Sequence, residues 1–238
     1  ALVGLGNLKC KMKHFEESLR YYQRCLELES ANLYALSGIG DAYRGLKDMD
    51  RALDVWFKYL SFDSKDYKIL TRIGDALRKK EDLPNSKKYY VAALDLHPND
   101  PFALMGLGAV CEKLGNDTEA LLYFEKLFNS SNYSVFAVTS AANVYRKTGA
   151  YGKAIELYEA ILDKDPKNSH AWNGKADCLR GMKDYRDAIN AWEKAIQCGM
   201  NRISAMTRIG DCYMGLNDLE NAEISYQKAV GTGNDKYA

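Results

Sequence analysis

The stretch AWNGKADCLRGMKDYRDAINAWEKAI, residues 171–196, decides the fold. Its apolar and small residues recur at three and four: Trp172, Ala176 and Leu179, then Ala188, Trp192 and Ala195 after the break Gly181-Met182-Lys183-Asp184. That spacing predicts two helices joined by a tight turn. Moving outward in steps of 34, an aromatic stands at Tyr22, Trp56, Tyr90, Phe124, Tyr158, Trp192 and Tyr226. A small residue lies four places before each: Ser18, Ala52, Ser86, Ala120, Ala154, Ala188 and Ala222. A second small column precedes these, at Gly6, Gly40, Gly74, Gly108, Ala142, Ala176 and Gly210. An unbroken period over the whole chain means stacked repeats with a shared core, and it argues against an enclosed enzyme pocket. Equivalent turn chemistry recurs at Gly45-Leu46-Lys47-Asp48, Leu114-Gly115-Asn116-Asp117, Thr148-Gly149-Ala150 and Gly215-Leu216-Asn217-Asp218.

The 238 residues are 47% hydrophobic and 27% charged, which fits a folded protein rather than a disordered one. A net charge of +1 gives no global field for nucleic acid or membrane, and no apolar run approaches the ~18 residues that span a bilayer. Neither nucleic-acid binding nor membrane insertion is therefore expected. The chain opens at Ala1 inside one repeat and closes at Ala238 inside another, and reads as part of a longer chain. Six cysteines contain no C-x-x-C pair, and Cys178 and Cys212 share one phase of neighbouring repeats. Stacked equivalents should lie roughly 8–10 Å apart, too far for a disulfide, so reduced thiols and a cytoplasmic setting are expected.

These columns resemble the tetratricopeptide repeat: a bulky apolar residue, Gly or Ala four later, an aromatic three after that, then small, aromatic and small residues in the second helix. Besides the opening stretch, Val138, Ala142, Tyr145, Ala154, Tyr158, Ile161 and Pro166 follow it. Asp117, where the turn usually has an aromatic, and Lys87-Lys88 depart from it. The resemblance covers the chain as a single domain, 1–238, with repeats at about 1–32, 33–66, 67–100, 101–134, 135–168, 169–202 and 203–236. It implies an all-α, right-handed superhelical solenoid whose first helices line a concave peptide-binding groove.

Helix geometry picks the face independently. At 100° per residue, positions six and three before the small column, and one, four and five after it, form an arc beside the apolar stripe. One after stand Asp41, Asp75, Asn143 and Asp177; four after stand Arg44, Arg78, Arg146 and Arg180; five after stand Lys79, Lys113 and Lys147. The arc holds nine basic residues (Lys11, Arg44, Lys68, Arg78, Lys79, Lys113, Arg146, Lys147, Arg180) and five acidic ones (Asp41, Asp75, Glu112, Asp177, Asp211), so it is near +4 in a +1 chain. Two readings stay open. The Asp–Arg pairs three apart can neutralise each other on a solvated helix face, contributing about 0.2–0.5 kcal/mol each. Alternatively the arginines and Asn143 hold the backbone and carboxylates of an acidic peptide. The fourth repeat interrupts the ladder with Phe102 and Met105, and Phe136 follows in the fifth; these suit an apolar anchor, or else pack on the preceding repeat. No three consecutive repeats complete the clamp that tetratricopeptide proteins use for chaperone tails.

Catalysis finds no constellation: His14, His97 and His170 fall in different phases, so no triad or metal site is suggested and no cofactor is expected. The run Lys87-Lys88-Tyr89-Tyr90 reads as core tyrosine with a solvated edge. The expected function is non-enzymatic capture of a peptide or protein segment, acidic with an apolar anchor. The alternatives are a self-assembling scaffold and the recognition arm of a larger enzyme.

Overall fold

A computed structural model of the protein describes residues 1–128 and 135–231. The chain divides into two compact units, Ala1–Lys126 and Leu127–Ala238. Unit 1 holds α1 (Leu2–Lys11), α2 (Phe15–Leu28), α3 (Leu33–Gly45), α4 (Met49–Phe62), α5 (Tyr67–Lys79), α6 (Leu83–Leu96) and α7 (Pro101–Lys113), with α8 (Asp117–Phe128) at its end. Unit 2 holds α9 (Val135–Lys147), α10 (Tyr151–Lys164), α11 (Ser169–Gly181), α12 (Tyr185–Gln197), α13 (Arg202–Gly215) and α14 (Leu219–Val230). Among the described residues there is no strand, and the fold is all-α.

Within each unit successive helices pack on one another, and first helices also meet across repeats, as α1 with α3, α5 with α7 and α9 with α11. Helix starts are fixed by side-chain caps. Asn32, Asp66, Asp100, Asn168 and Asn201 accept from a backbone N–H three residues on in the first helices, and Asp48, Asp82 and Asp218 do so in second ones. Such caps satisfy donors that the helix start leaves unpaired. Asp100 is buried and also accepts from the Thr71 hydroxyl at 3.2 Å, which ties α7 to α5.

The turn between the two helices places one residue in the left-handed region in every repeat: Lys13, Lys47, Glu81, Gly115, Gly149, Lys183 and Asn217. Gly45, Gly181 and Gly215 therefore do not supply the turn's positive φ. They lie inside helices and admit a ring from the preceding turn. A Cβ on Gly45 would sit 2.4 Å from Phe15, one on Gly181 2.4 Å from Tyr151, and one on Gly215 2.6 Å from Tyr185. Where that turn position is instead Met49, Leu83 or Asp117, the following repeat carries Lys79, Lys113 or Lys147 in place of glycine. The lysine column of the arc thus appears only where the preceding repeat has no ring at that place.

The aromatic column is the core. Trp56, Tyr90, Phe124 and Trp192 are wholly buried, and Tyr22 and Tyr158 nearly so. All six cysteines are free thiols, with Cys111, Cys178 and Cys212 fully enclosed. No helix among the described residues is long and apolar enough to cross a membrane. Around α13 and α14, Met214, Leu219 and Val230 stay exposed beside an open cleft of about 410 Å³.

Candidate functional site

The first-helix face of each unit is shaped by the ring that the preceding second helix pushes beneath it. In three places that ring is tyrosine, and the residue two before the next small column is glycine: Tyr22 with Gly38, Tyr90 with Gly106, Tyr158 with Gly174. A Cβ there would fall 2.2–2.3 Å from the tyrosine Cζ, so only glycine fits. Where the ring is tryptophan, Trp56 or Trp192, the same position is Arg72 or Arg208. Tyrosine reaches across to the polar residue one after the small column of its own repeat. Its hydroxyl donates to Asn7 Oδ1 at 2.7 Å from Tyr22, to Asp75 at 2.7 Å from Tyr90, to Asn143 at 2.8 Å from Tyr158 and to Asp211 at 2.8 Å from Tyr226. Burial pushes the phenols of Tyr22 and Tyr158 up to about 12, and raises Tyr90 further with the Asp75 carboxylate adding to it. These hydroxyls are structural donors.

In the tryptophan repeats no hydroxyl arrives, and guanidinium groups take its place. Asp41 meets Arg44 at 2.9 Å and Arg72 at 3.1 Å, and Arg72 also donates to Ser37 Oγ at 3.3 Å. The Arg44 contact is an ion pair without hydrogen-bond alignment, since Asp41 Oδ1 is buried with no aligned donor. In unit 2, Asp177 meets Arg146 at 3.3 Å, Arg208 at 3.2 Å and Arg180 at 3.8 Å, and Arg208 donates to Asn173 Oδ1 at 2.8 Å. Asn173 also accepts from Trp192 Nε1 at 3.1 Å, whereas the buried Nε1 of Trp56 has no acceptor among the described residues, because Ser37 at the matching place is too short. Ser37→Asn should give that indole an acceptor and stabilise unit 1 by about 1 kcal/mol, read from the midpoint of urea unfolding. An unchanged or lowered midpoint would refute this.

The arc residues of unit 1 are brought together. An open cleft of about 700 Å³ is lined by Asn7, Cys10, Lys11, Tyr34, Ser37, Asp41, Arg44 and Lys79, together with Arg72, Gly38, Gly45, Phe15 and Tyr22. A neighbouring cleft of about 370 Å³ joins Arg44, Lys68, Arg72 and Asp75 to Phe102, which is 66% exposed and so does not simply pack away. Met105 is half-buried and is not part of that lining. Arg78 is engaged inward, 3.0 Å from Asp75 and 3.4 Å from the Tyr90 hydroxyl. Lys113 bonds Glu81 at 2.7 Å. In unit 2, Arg146, Asp177, Arg180 and Asp211 line a cleft of about 570 Å³ with Tyr151 and Tyr185. Asn143 is held by Tyr158, Lys147 is exposed, and Phe136 is exposed on the second residue of α9.

Arg72 and Arg208 were missed by the arc. At 160° from the small column they fall just beyond its edge, and only their length returns the guanidinium to the groove. The available signal was a pair of arginines in a column otherwise of glycine and serine. Among the described residues no group of His, Cys, Asp or Glu is placed to hold a metal ion.

Family comparison gives matches along most of the chain. Residues 1–32, 71–133 and 203–232 match models described as tetratricopeptide repeat. Residues 113–195 match a model described as anaphase-promoting complex, cyclosome, subunit 3. No curated protein sequence matches. Among solved structures, the chain is similar to the C-terminal part of a tetratricopeptide repeat-containing protein from Cytophaga hutchinsonii, at 17% identity and a TM-score of 0.81, covering 98% of this chain and 97% of that one. A tetratricopeptide repeat protein from Parabacteroides merdae gives 19% identity and a TM-score of 0.71 over 99% and 93% of the two chains. YrrB, described as a tetratricopeptide protein with an unusual peptide-binding site, gives 17% identity and a TM-score of 0.66 over 77% and 95%. At these identities the likeness concerns the fold.

Proposed function

This chain belongs to the tetratricopeptide repeat family, and on that premise we propose that it is a non-enzymatic interaction module that seats an extended protein segment along its first-helix face. The observation that carries the reading is the cleft of about 700 Å³ in unit 1. Four of its lining residues are basic (Lys11, Arg44, Arg72, Lys79), and among its described lining residues Asp41 alone is acidic. Asp41 is already paired with Arg44 and Arg72, so the remaining field favours an acidic partner. Tyr34 and Phe102, both largely exposed, give that partner apolar surface beside the cations of unit 1, with half-buried Met105 a further candidate there, and exposed Phe136 is a candidate anchor of unit 2 taken by itself. Related folds support interaction as the working class: one solved relative is named for its peptide-binding site, and another is a hetero-tetramer of the anaphase-promoting complex.

Lys11 and Lys79 are the residues to reverse, because no ion pair among the described residues holds either one and charge reversal should leave stability within about 0.5 kcal/mol. A partner segment would first be identified by photo-crosslinking from Tyr34 and then synthesised for calorimetry. Lys11→Glu with Lys79→Glu should weaken its binding at least tenfold, the weakening shrinking at high salt. Equal affinity for wild type and variant would overturn the reading.

A further inference from the structure

One constellation occurs twice, 136 residues apart, once in each compact unit. In unit 1 it is Asp41, Arg44, Trp56 and Arg72; in unit 2 it is Asp177, Arg180, Trp192 and Arg208. The chemistry repeats with the residue types. The guanidinium of Arg44 lies over the Trp56 ring at 5.9 Å from its centroid, and that of Arg180 over Trp192 at 5.7 Å. The second arginine of each set comes from the next repeat and meets the aspartate at 3.1 Å in unit 1 and 3.2 Å in unit 2.

What separates these repeats from a tyrosine repeat is the state of the first arginine. Arg78 in the tyrosine repeat donates both to Asp75 and to the Tyr90 hydroxyl. Arg44 touches Asp41 without hydrogen-bond alignment. Arg180 lies 3.8 Å from Asp177 and 3.7 Å from Asp211, beyond hydrogen-bond reach of both. Each is thus held by an indole face and by charge, with its five N–H donors not engaged by an aligned acceptor among the described residues. Its side chain is between a third and two-fifths exposed. A guanidinium held within cation–π range of the indole, with its donor fork unengaged, can offer two N–H groups to the two oxygens of an incoming carboxylate. The local charge agrees, since two guanidiniums share one aspartate in unit 1, and in unit 2 Arg146, Arg180 and Arg208 face two, Asp177 and Asp211.

We propose that each constellation is a docking point for one acidic side chain of a bound protein segment. Arg44 and Arg180 contact it, and Asp41 and Asp177 act as built-in competitors that hold the arginines in place until it arrives. This rests on the groove reading above and narrows it to a carboxylate and two positions. The competitor role has an unusual consequence: neutralising either aspartate strengthens binding of an acidic peptide while removing a charge pair from the fold.

The test uses fluorescence anisotropy of a labelled heptaglutamate peptide at low salt, with circular dichroism melting of every variant. Arg44→Gln and Arg180→Gln should each weaken binding roughly tenfold, as expected for loss of a charge-assisted pair. Asp41→Asn and Asp177→Asn should each tighten it severalfold despite an equal or lower melting temperature. Lys58→Gln and Lys228→Gln, exposed lysines on second helices, should leave it within twofold. The assignment is overturned if the arginine variants match these lysine controls, or if the asparagine variants bind no tighter. Displacement of the peptide by equimolar inorganic phosphate would also overturn it, since a general anion site would then explain the binding. If heptaglutamate ignores Arg44 and Arg180 while the native partner still responds to Lys11→Glu with Lys79→Glu, this inference falls and the groove reading stands.

Discussion

Alanine at Gly106 is expected to destabilise unit 1 by about 2–3 kcal/mol, although alanine is the better helix former. Its Cβ would sit 2.2 Å from Cζ of Tyr90, a ring with no exposed surface. The ring has nowhere to slide, because Gly74 closes its other side so tightly that a Cβ there would lie only 2.9 Å from it. Its hydroxyl is anchored as well, 2.7 Å from Asp75 and 3.4 Å from Arg78. Overpacking of this kind costs about 1–3 kcal/mol, and loosening a buried hydrogen bond adds about 1–3 more. The gain in helix propensity offsets about 1 kcal/mol of that. Gly152 supplies the contrast: a methyl added there would meet nothing within 4 Å, and Gly152→Ala should stabilise by up to about 1 kcal/mol. Urea unfolding of the two variants decides: equal effects would show that ring–glycine packing does not constrain the fold. A second arm uses the sequence pattern, in which the phenylalanine of the column, Phe124, is followed by serine rather than glycine two before the next small column, at Ser140. Gly106→Ser should cost less in a Tyr90→Phe background than beside Tyr90, with a coupling of at least about 1 kcal/mol.

The fold was legible because the core repeats itself. Seven aromatics in register set the phase of every helix, and the face opposite the core followed from helix geometry alone. What the sequence did not display was which groups on that face are engaged with one another. Asp75 and Asn143 stand in the same column as Asp41 and Asp177, yet the first two receive a tyrosine hydroxyl of their own repeat and the others are paired instead with an arginine of the next repeat. That division depends on whether the ring underneath is tyrosine or tryptophan, a choice that helical periodicity treats as equivalent. The turn glycines divide in a related way, since Gly115 and Gly149 take the left-handed place and others do not. Glycine next to a turn suggests positive φ, but Gly45 and Gly181 are small to admit Phe15 and Tyr151, and lysine takes the left-handed place at Lys47 and Lys183. Pairwise size matching across repeats is visible in one sequence only after the structure shows which columns touch.

The same enclosure of small polarisable side chains gives the second large effect, a loss of stability in alkali. Burial pushes the thiol of Cys178 up to about 12 and that of Cys212 up to about 11. Both are fully enclosed in unit 2. In the unfolded chain a thiol ionises at about 8.5–9, so the unfolded state loses protons first as pH rises. The folded pKa is the raised one, and the stability it represents is therefore complete below about pH 8.5 and drains away as pH climbs toward the folded values. Each thiol contributes a slope approaching about 1.4 kcal/mol per pH unit in that window, and the pair removes on the order of 4 kcal/mol between pH 9 and 11. Tyr158, pushed up to about 12 in the same unit, steepens the fall above pH 10. Cys178→Ala separates this linkage from general alkaline damage. At pH 7 the alanine variant should be less stable than wild type by about 1 kcal/mol, from the lost sulfur contacts. Having one buried ionisable group fewer, it should lose stability more slowly and overtake wild type near about pH 9.5. Urea midpoints followed from pH 7 to 11 read this directly, and parallel curves for the two proteins would show that the buried thiol does not govern the alkaline limit.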